Sequence, residues 1–226
     1  MSSIFQDALG PQFDRLHPKM QWRFGFSSSD GTCQIGHGTM DEVWRGGWWT
    51  LPFLLVGSTR RVLFPSRGQN VPFTIENYAY VDQFGRETVT FSRRFRTKRK
   101  VRAFDATMIM SQERGAIVDY LGSHQHLAVV LHGTVDEAGG LCFRSSAQRF
   151  YEGPVAFRFP LLFSGVANVR EWWDEPEQRF HIDVDVRNRF LGKLFGYRGT
   201  FTVTERPCTR DEIPVDVLPI REERRE

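Results

Sequence analysis

The sequence has few of the features that would identify a reaction. Its three cysteines, Cys33, Cys142 and Cys208, form an odd set without the spacing of a metal site, which is typical of reduced thiols in a cytosolic protein. We find no phosphate-binding loop, no serine in a nucleophile-elbow context and no cysteine–histidine pairing. We therefore expect no metal and no cofactor, and no motif in the chain is specific enough to define its chemistry.

The chain also has little net charge and no long apolar run. The formal net charge of +3 is too small to indicate a nucleic-acid-binding protein. The first residues have neither a basic region nor an apolar core of the kind found in a secretory signal. Residues 48–57 form the longest apolar run, which contains Pro52 and is shorter than the ~20 residues that span a bilayer. We expect a soluble cytoplasmic protein.

Aromatic residues are abundant, with twenty Phe and six Trp among 226 residues. This length fits one large domain with a substantial core. Residues 179–186 alternate polar and apolar, a period of two that is typical of a strand with one buried face. The alternation predicts that Phe180, Ile182, Val184 and Val186 point inward. It places His181, Asp183 and Asp185 on the outer face, which we interpret as solvated.

Further strands follow at the spacing of an antiparallel meander. They are predicted at residues 32–45, 71–82, 87–95, 104–110, 116–121, 127–136 and 141–150, with three more between residues 163 and 205. A short N-terminal helix is predicted within residues 4–15, and an inserted helix starts near Pro52 and ends before Pro65. The fold class is mainly β with some α: a large curved antiparallel sheet or calyx-like barrel of about ten strands. Residues 1–206 form the domain, and residues 207–226 are predicted to be a mobile tail.

Four short motifs, taken in order, resemble a bacterial family known as domain of unknown function 4166. They are Leu9-Gly10-Pro11-Gln12-Phe13-Asp14-Arg15-Leu16-His17-Pro18, Thr90-Phe91-Ser92-Arg93-Arg94-Phe95, Asp119-Tyr120-Leu121-Gly122 and Phe190-Leu191-Gly192-Lys193-Leu194-Phe195-Gly196-Tyr197-Arg198-Gly199. The resemblance covers roughly residues 4–205. Family members occur alone or fused behind a dehydrogenase domain, and the resemblance implies no reaction and no cofactor. The family usually has Glu-Arg-Phe-Gly where this chain has residues 119–122.

Five residues are candidates for acid–base chemistry inside the barrel: His37, Arg94, Asp105, Asp119 and Glu171. Strand alternation requires that either Arg93 or Arg94 points inward if their sheet has a buried face, and we choose Arg94. An inward arginine needs a carboxylate partner. His37 lies between two glycines, where a ligand can approach closely.

Aromatic residues are the candidate walls of a ligand cavity, since a small-molecule site combines such walls with a few polar groups. We select Trp44, Tyr78, Tyr80, Phe91, Trp173 and Tyr197. The leading hypothesis is a binding protein for an apolar or amphipathic molecule such as a lipid, isoprenoid or polyketide. The alternative is a cofactor-independent isomerase, cyclase or dehydratase that uses the same cavity. The sequence does not decide between them, and it does not reveal the oligomeric state.

A basic block at residues 93–102 suggests a third role. Such a block binds phosphate on lipids or nucleic acid, and the lack of a stacking platform or recognition helix beside it argues against nucleic acid. With the apolar segment at residues 48–64, it predicts a contact with an anionic membrane surface.

Overall fold

A computed structural model describes residues 1–98, 100–158 and 165–226. Arg99, in the predicted basic block, and residues 159–164 lie outside this description. The strands are β1 (Thr32–Arg45), β2 (Gly68–Val81), β3 (Glu87–Arg96), β4 (Val101–Ser111), β5 (Ala116–Leu121), β6 (Leu127–Val135), β7 (Leu141–Glu152), β8 (Val155–Arg158), β9 (Val166–Asp174), β10 (Arg179–Asn188) and β11 (Gly192–Pro207).

Ten of these strands close into an antiparallel barrel. Strands β1 to β6 form a meander, β6 pairs with β7, and β7 pairs with β9. The sheet continues through β10 to β11, which pairs with β1 and completes the closure. Strand β8 adds to the end of β7 from outside the ring. The predicted calyx-like barrel of about ten strands is confirmed, and closure leaves few unpaired strand edges.

Helices cover one end of the barrel, which we call the base. Helix α1 (Ile4–Leu9), a 3₁₀ segment (Gly10–Arg15) and helix α2 (Pro18–Phe24) cross it. Ser3 caps α1 by accepting a hydrogen bond from the Gln6 amide, and its hydroxyl donates to the Phe24 carbonyl. The ring of Phe5 packs edge-on against Phe91 inside the barrel, with centroids 6.2 Å apart. The N-terminal helical region therefore plugs the base.

The other end, which we call the rim, carries the inserted helix. A 3₁₀ turn (Trp48–Thr50) leads into α3 (Leu51–Thr59), so the predicted start near Pro52 is confirmed. The helix ends earlier than predicted because the amides of Arg60 and Val62 both donate to the Gly57 carbonyl, and Arg61 has a positive φ of 57°. Within the described ranges, no helix combines the length and the apolar character needed to cross a membrane.

Alternation along the strands decides which side chains fill the barrel. Phe180, Ile182 and Val184 are buried in the main core, as their period predicts. On β1 the inner positions include Gly38, where a Cβ would lie 2.5 Å from the Cβ of Phe201. A glycine at this position lets the two strands and their core side chains pack closely.

The C-terminal tail lies on the outer wall of the barrel. Cys208, Ile213 and Val217 pack with Tyr78 and Tyr80 in a second, smaller core. Farther along, the Ile220 amide donates to the Ser123 carbonyl and Arg221 Nε donates to the His124 carbonyl. The mobility predicted for residues 207–226 stays a prediction, and motion of the tail in solution has to break these contacts.

Candidate functional site

An internal cavity of about 140 Å³ lies between the base and the rim. Its walls are mainly Phe, Leu, Val, Ile and Met side chains, with Phe5 and Phe143 towards the base and Phe53 and Leu63 towards the rim. Four ionisable side chains also line it, each from a different strand: Arg93 from β3, Asp119 from β5, Glu171 from β9 and Tyr197 from β11. An apolar pocket with a few converging polar groups is the usual form of a small-molecule site.

The arginine that enters the cavity is Arg93. It alternates with Phe91 and Phe95, both of which are buried in the main core, and its guanidinium lies 4.7 Å from the ring centroid of Phe104. Arg94 therefore points outward, where it forms a hydrogen-bonded ion pair with Asp105. The prediction that Arg94 points inward is wrong, because the phenylalanines on either side of Arg93 fix the parity of β3.

Arg93 and Asp119 are both buried with hydrogen-bonding capacity unused. Arg93 is 8% exposed and Asp119 is 6% exposed. Among the residues that the structure describes, neither Arg93 Nε nor Asp119 Oδ1 has a hydrogen-bond partner. The two groups are close enough for the positive charge of Arg93 to influence Asp119, yet no ion pair joins them in the described part of the chain. Buried polar atoms are normally satisfied, so the unused hydrogen-bonding capacity of this pair needs an explanation.

Burial has the largest influence on the pKa of Asp119 and of Tyr197. It raises the pKa of Asp119 to about 7, although the charge of Arg93 opposes the shift. Burial also raises the pKa of Tyr197; Arg93 lowers it, while Glu171 and Asp119 raise it further. Four strands thus place ionisable groups around one space, and the raised pKa of Asp119 lies near neutral pH.

Glu171 is held by a buried network at the base. Arg23, on α2, donates from Nε to Glu171 Oε1 at 2.9 Å, and its Nη1 donates to Gln34 and Asn77 at 2.7 Å. Arg23 is almost fully buried and the pair is an ion pair. The charge of Glu171 is therefore balanced by Arg23, whereas Arg93 and Asp119 have no ion-pair partner among the described residues.

Two other predicted residues lie away from the cavity. Asp105 alternates with inward-facing Phe104 and Ala106, so it points outward to Arg94 and Arg61. His37 is exposed and lies between Gly36 and Gly38. A Cβ added to either glycine would lie close to the inner residue Phe201, so the two glycines occupy inner positions and His37 points outward. The inward orientation predicted for Asp105 and His37 is wrong. The residues before and after each of them point inward, so the alternation of the strand makes Asp105 and His37 point outward. Of the five predicted acid–base residues, Asp119 and Glu171 line the cavity.

Some of the aromatic residues predicted to form the cavity wall line the cavity, and others lie elsewhere. Phe91 and Tyr197 line the cavity. Trp173 faces the barrel interior near the base, against Phe180 and beneath Lys19, but does not line the cavity. Tyr78 and Tyr80 contact the tail on the outer wall, and Trp44 lies against Lys193 near the rim. Tyr78 and Tyr80 are misplaced in the prediction because aromatic residues also fill the outer core under the tail, and Trp44 is misplaced because it lies near the rim.

Sequence reasoning missed Arg23 and Arg93. For Arg93 the available signal was its position between Phe91 and Phe95. For Arg23 it was the neighbouring buried residues Met20 and Phe24, which put position 23 on the inner side of a short helix. Within the described residues, no group of three or more His, Cys, Asp or Glu side chains comes together in a way that could hold a metal ion.

Comparison with known proteins gives a family and no activity. The model of the family described as "Domain of unknown function (DUF4166)" matches residues 16–201. The chain is also 34% identical over 206 residues to the "Uncharacterized protein YndH" of Bacillus subtilis (strain 168), a match that covers 91% of this chain and 99% of that protein.

Proposed function

We propose that this chain, which belongs to the family of domain of unknown function 4166, binds a small amphipathic molecule inside its barrel. The observation that carries the proposal is the buried Arg93, which has no ion-pair partner among the described residues, in a cavity with mainly apolar walls. The ligand's apolar part packs against the phenylalanine and leucine walls, and its polar group meets Arg93 and Asp119.

The volume limits the part of the ligand that is enclosed. An apolar cavity of about 150 Å³ holds one benzene molecule, so about 140 Å³ accommodates one ring or a short chain. A lipid, isoprenoid or polyketide chain of greater length extends through the rim, where Phe53 and Leu63 form the cavity wall.

The charges favour an acidic polar group. Arg23 already balances Glu171. Because burial raises the pKa of Asp119 to about 7, this carboxyl is largely neutral in mildly acidic solution and leaves Arg93 without a counter-charge. A carboxylate on the ligand supplies that charge through charge-assisted hydrogen bonds. A short-chain carboxylic acid or an aromatic acid is the chemical class that fits.

A second candidate function is acid–base catalysis in the same cavity, which the raised pKa of Asp119 favours. A carboxyl group with a pKa near 7 is suited to accept and return a proton at neutral pH. Arg93 would stabilise negative charge that develops on the substrate, as required in an isomerisation, cyclisation or dehydration. With Asp119 as the base, the rate rises as the pH increases through about 7, and Asp119→Asn removes that step.

The first experiment is native mass spectrometry of the purified protein, with solvent extraction of any bound molecule. We then compare the binding of hexanoate, benzoate and 1-hexanol by calorimetry. Binding of the acids in preference to the alcohol supports the proposal. A protein that carries no molecule and binds none of the three contradicts it.

Adjacent arginines provide a matched control. Arg93→Gln should weaken hexanoate binding by about 10- to 100-fold, because a hydrogen bond to a charged group contributes about 1.5–3 kcal/mol. Arg94→Gln makes the same change on the outer wall and should leave binding within about two-fold. Equal losses in both variants would show that overall stability, and not the cavity charge, controls binding.

The free thiols support a cytoplasmic setting for this function. Cys33 and Cys208 are both buried at the contact between β1 and the tail, and neither forms a disulfide. Reduced, buried thiols are typical of proteins in a reducing compartment. We include this location in the proposal.

A further inference from the structure

Exposed apolar side chains concentrate at the rim. Trp48 is 79% exposed, Val56 on α3 is 68% exposed, and Phe190 in the turn between β10 and β11 is 70% exposed. Val101 at the start of β4 and Leu191 beside Phe190 are exposed too. Strand pairing puts these positions at one end of the barrel, because β1 ends where β11 begins and β3 ends where β4 begins. Exposed apolar side chains that concentrate at one end of a protein are typical of an interaction site.

Helix α3 is the centre of this surface. It has no charged residue between Trp48 and Thr59, and its only fully buried side chain is Leu54. Phe53 both lines the cavity and is half exposed, so α3 lies directly beside the cavity. A helix that is apolar on all sides is normally covered. In the described part of the chain, α3 buries Leu54 but leaves Phe53, Leu55 and Val56 exposed.

Basic side chains surround the same end. A rim groove is lined by Arg45, Arg67, Arg96, Lys98 and Arg102. The guanidinium groups of Arg45 and Arg67 both donate to the Gly46 carbonyl, and Arg102 donates to Ser58 and Ser66. Among the described residues, none of these five forms an ion pair with a carboxylate. Burial and the charge of Arg67 lower the pKa of Arg45, as expected where positive charge is not neutralised.

We propose that the rim docks on an anionic lipid bilayer, with Trp48 and α3 inserted at the headgroup level and the basic groove facing lipid phosphates. Trp residues favour the membrane interface, and interfacial binding combines buried apolar area with attraction to anionic lipid. The charge complementarity favours this occupant over a second copy of the chain, because two positively charged rims repel each other. The proposal stands independently of ligand binding in the cavity.

The test is flotation of the whole protein with vesicles of phosphatidylglycerol and phosphatidylcholine in equal parts. We expect the protein to float with these vesicles at low salt, to dissociate as salt rises, and not to float with phosphatidylcholine alone. No flotation with the anionic vesicles would overturn the proposal. Equal binding to both kinds of vesicle, or a dimer in solution that buries α3, would overturn it too.

Two pairs of variants locate the contact. Lys98→Gln with Lys100→Gln should lower the partition constant about 25-fold, from roughly five-fold for each basic residue near an anionic surface. Arg15→Gln with Arg179→Gln removes the same charge from exposed positions at the base and should have little effect. Trp48→Ala should weaken binding at high salt more than the control Phe84→Ala in the β2–β3 turn at the base. Equal effects of the rim and base variants would contradict docking through the rim.

Discussion

The base and the rim of the barrel are built in opposite ways. At the base, α1 and α2 bury phenylalanines in the barrel and Arg23 has a buried carboxylate partner. At the rim, Trp48 and Phe190 are exposed and the groove arginines lack carboxylate partners in the described chain. The buried arginine and phenylalanines of the base thus have partners, whereas the groove arginines and exposed aromatic residues of the rim lack them in the described chain. We conclude that the base stabilises the fold, and our proposals assign a binding role to the rim.

The largest effect should come from breaking the buried network at the base. Arg23→Met leaves Glu171 charged and unpaired and removes donors from Gln34 and Asn77. Loss of one partner of a buried ion pair costs about 3–5 kcal/mol, and we expect a value near 5 in the free energy of unfolding, measured in urea.

Two controls bracket this result. Arg198→Met breaks the exposed pair with Glu42 and should cost less than about 1 kcal/mol. Adding Glu171→Gln to Arg23→Met removes the unpaired charge and should recover part of the lost stability. A cost for Arg23→Met as small as that for Arg198→Met would show that the two ends do not differ in this way.

The next effect depends on pH and concerns the cavity between the two ends. Because folding raises the pKa of Asp119 from 3.8 to about 7, the folded protein holds this proton more tightly than the unfolded chain. The associated stability is fully present below pH 3.8 and is lost as the pH rises to about 7. The shift corresponds to about 4 kcal/mol.

Asp119→Asn removes this dependence. The free energy of unfolding of the variant, relative to the original protein, should therefore increase by about 4 kcal/mol between the acidic and the alkaline side of the transition. Urea denaturation at a series of pH values measures the difference. Parallel pH profiles for the two proteins would show that burial of Asp119 does not control its titration.

Loss of an apolar contact should also destabilise the protein more at the base than at the rim. The difference in the free energy of unfolding should be smaller than the two effects above. Phe5→Ala at the base should cost about 3 kcal/mol, the lower part of the range for phenylalanine truncation, because Phe5 already borders a cavity. Phe53→Ala on α3 removes a ring that is half exposed and should cost about 1 kcal/mol. Thermal unfolding of the two variants compares them directly, and equal costs would mean that α3 contributes to the core as much as α1.

The smallest expected effect is at the charged turn of the rim. Lys98→Gln with Lys100→Gln should change the free energy of unfolding by less than about 0.5 kcal/mol, since both side chains are exposed and unpaired. Denaturation in urea checks this value. If the pair is neutral for stability but decisive for flotation with anionic vesicles, the rim's charges serve binding. A large loss of stability would instead make them structural.

Local patterns predicted the strands well and their orientation only in part. Ala116–Leu121 is a strand with the predicted bounds, and the alternation in residues 180–184 gave the correct inner face. The choice between Arg93 and Arg94 failed because strand parity specifies two faces without stating which is inside. Which face of β3 is inside depends on its partner strands and on the tail. The tail covers the outer face of β3, where Thr90 Oγ1 donates to the Val217 carbonyl.

The candidate site was less predictable than the fold because it depends on distant parts of the chain. Arg23 meets Glu171 only after the barrel has closed, and nothing near Arg23 in the sequence indicates a carboxylate partner. Likewise, the pairing of β7 with β9, which skips β8, brings Glu171 opposite Leu141. Asp119 and Glu171 were identified as inward carboxylates, but the arginines that determine their charge were not.

Closure of the barrel through β1 and β11 has a consequence for how the protein is made. Thr32 pairs with Pro207, so β1 reaches its second neighbour only after nearly all of the described chain has left the ribosome. Until then the nascent meander has open edges and an uncovered apolar inner face, and such intermediates are prone to aggregate. Pairing over so long a separation is also slow. Folding of this barrel therefore completes only after β11 has been synthesised, and chaperones that shield the incomplete sheet should raise its yield.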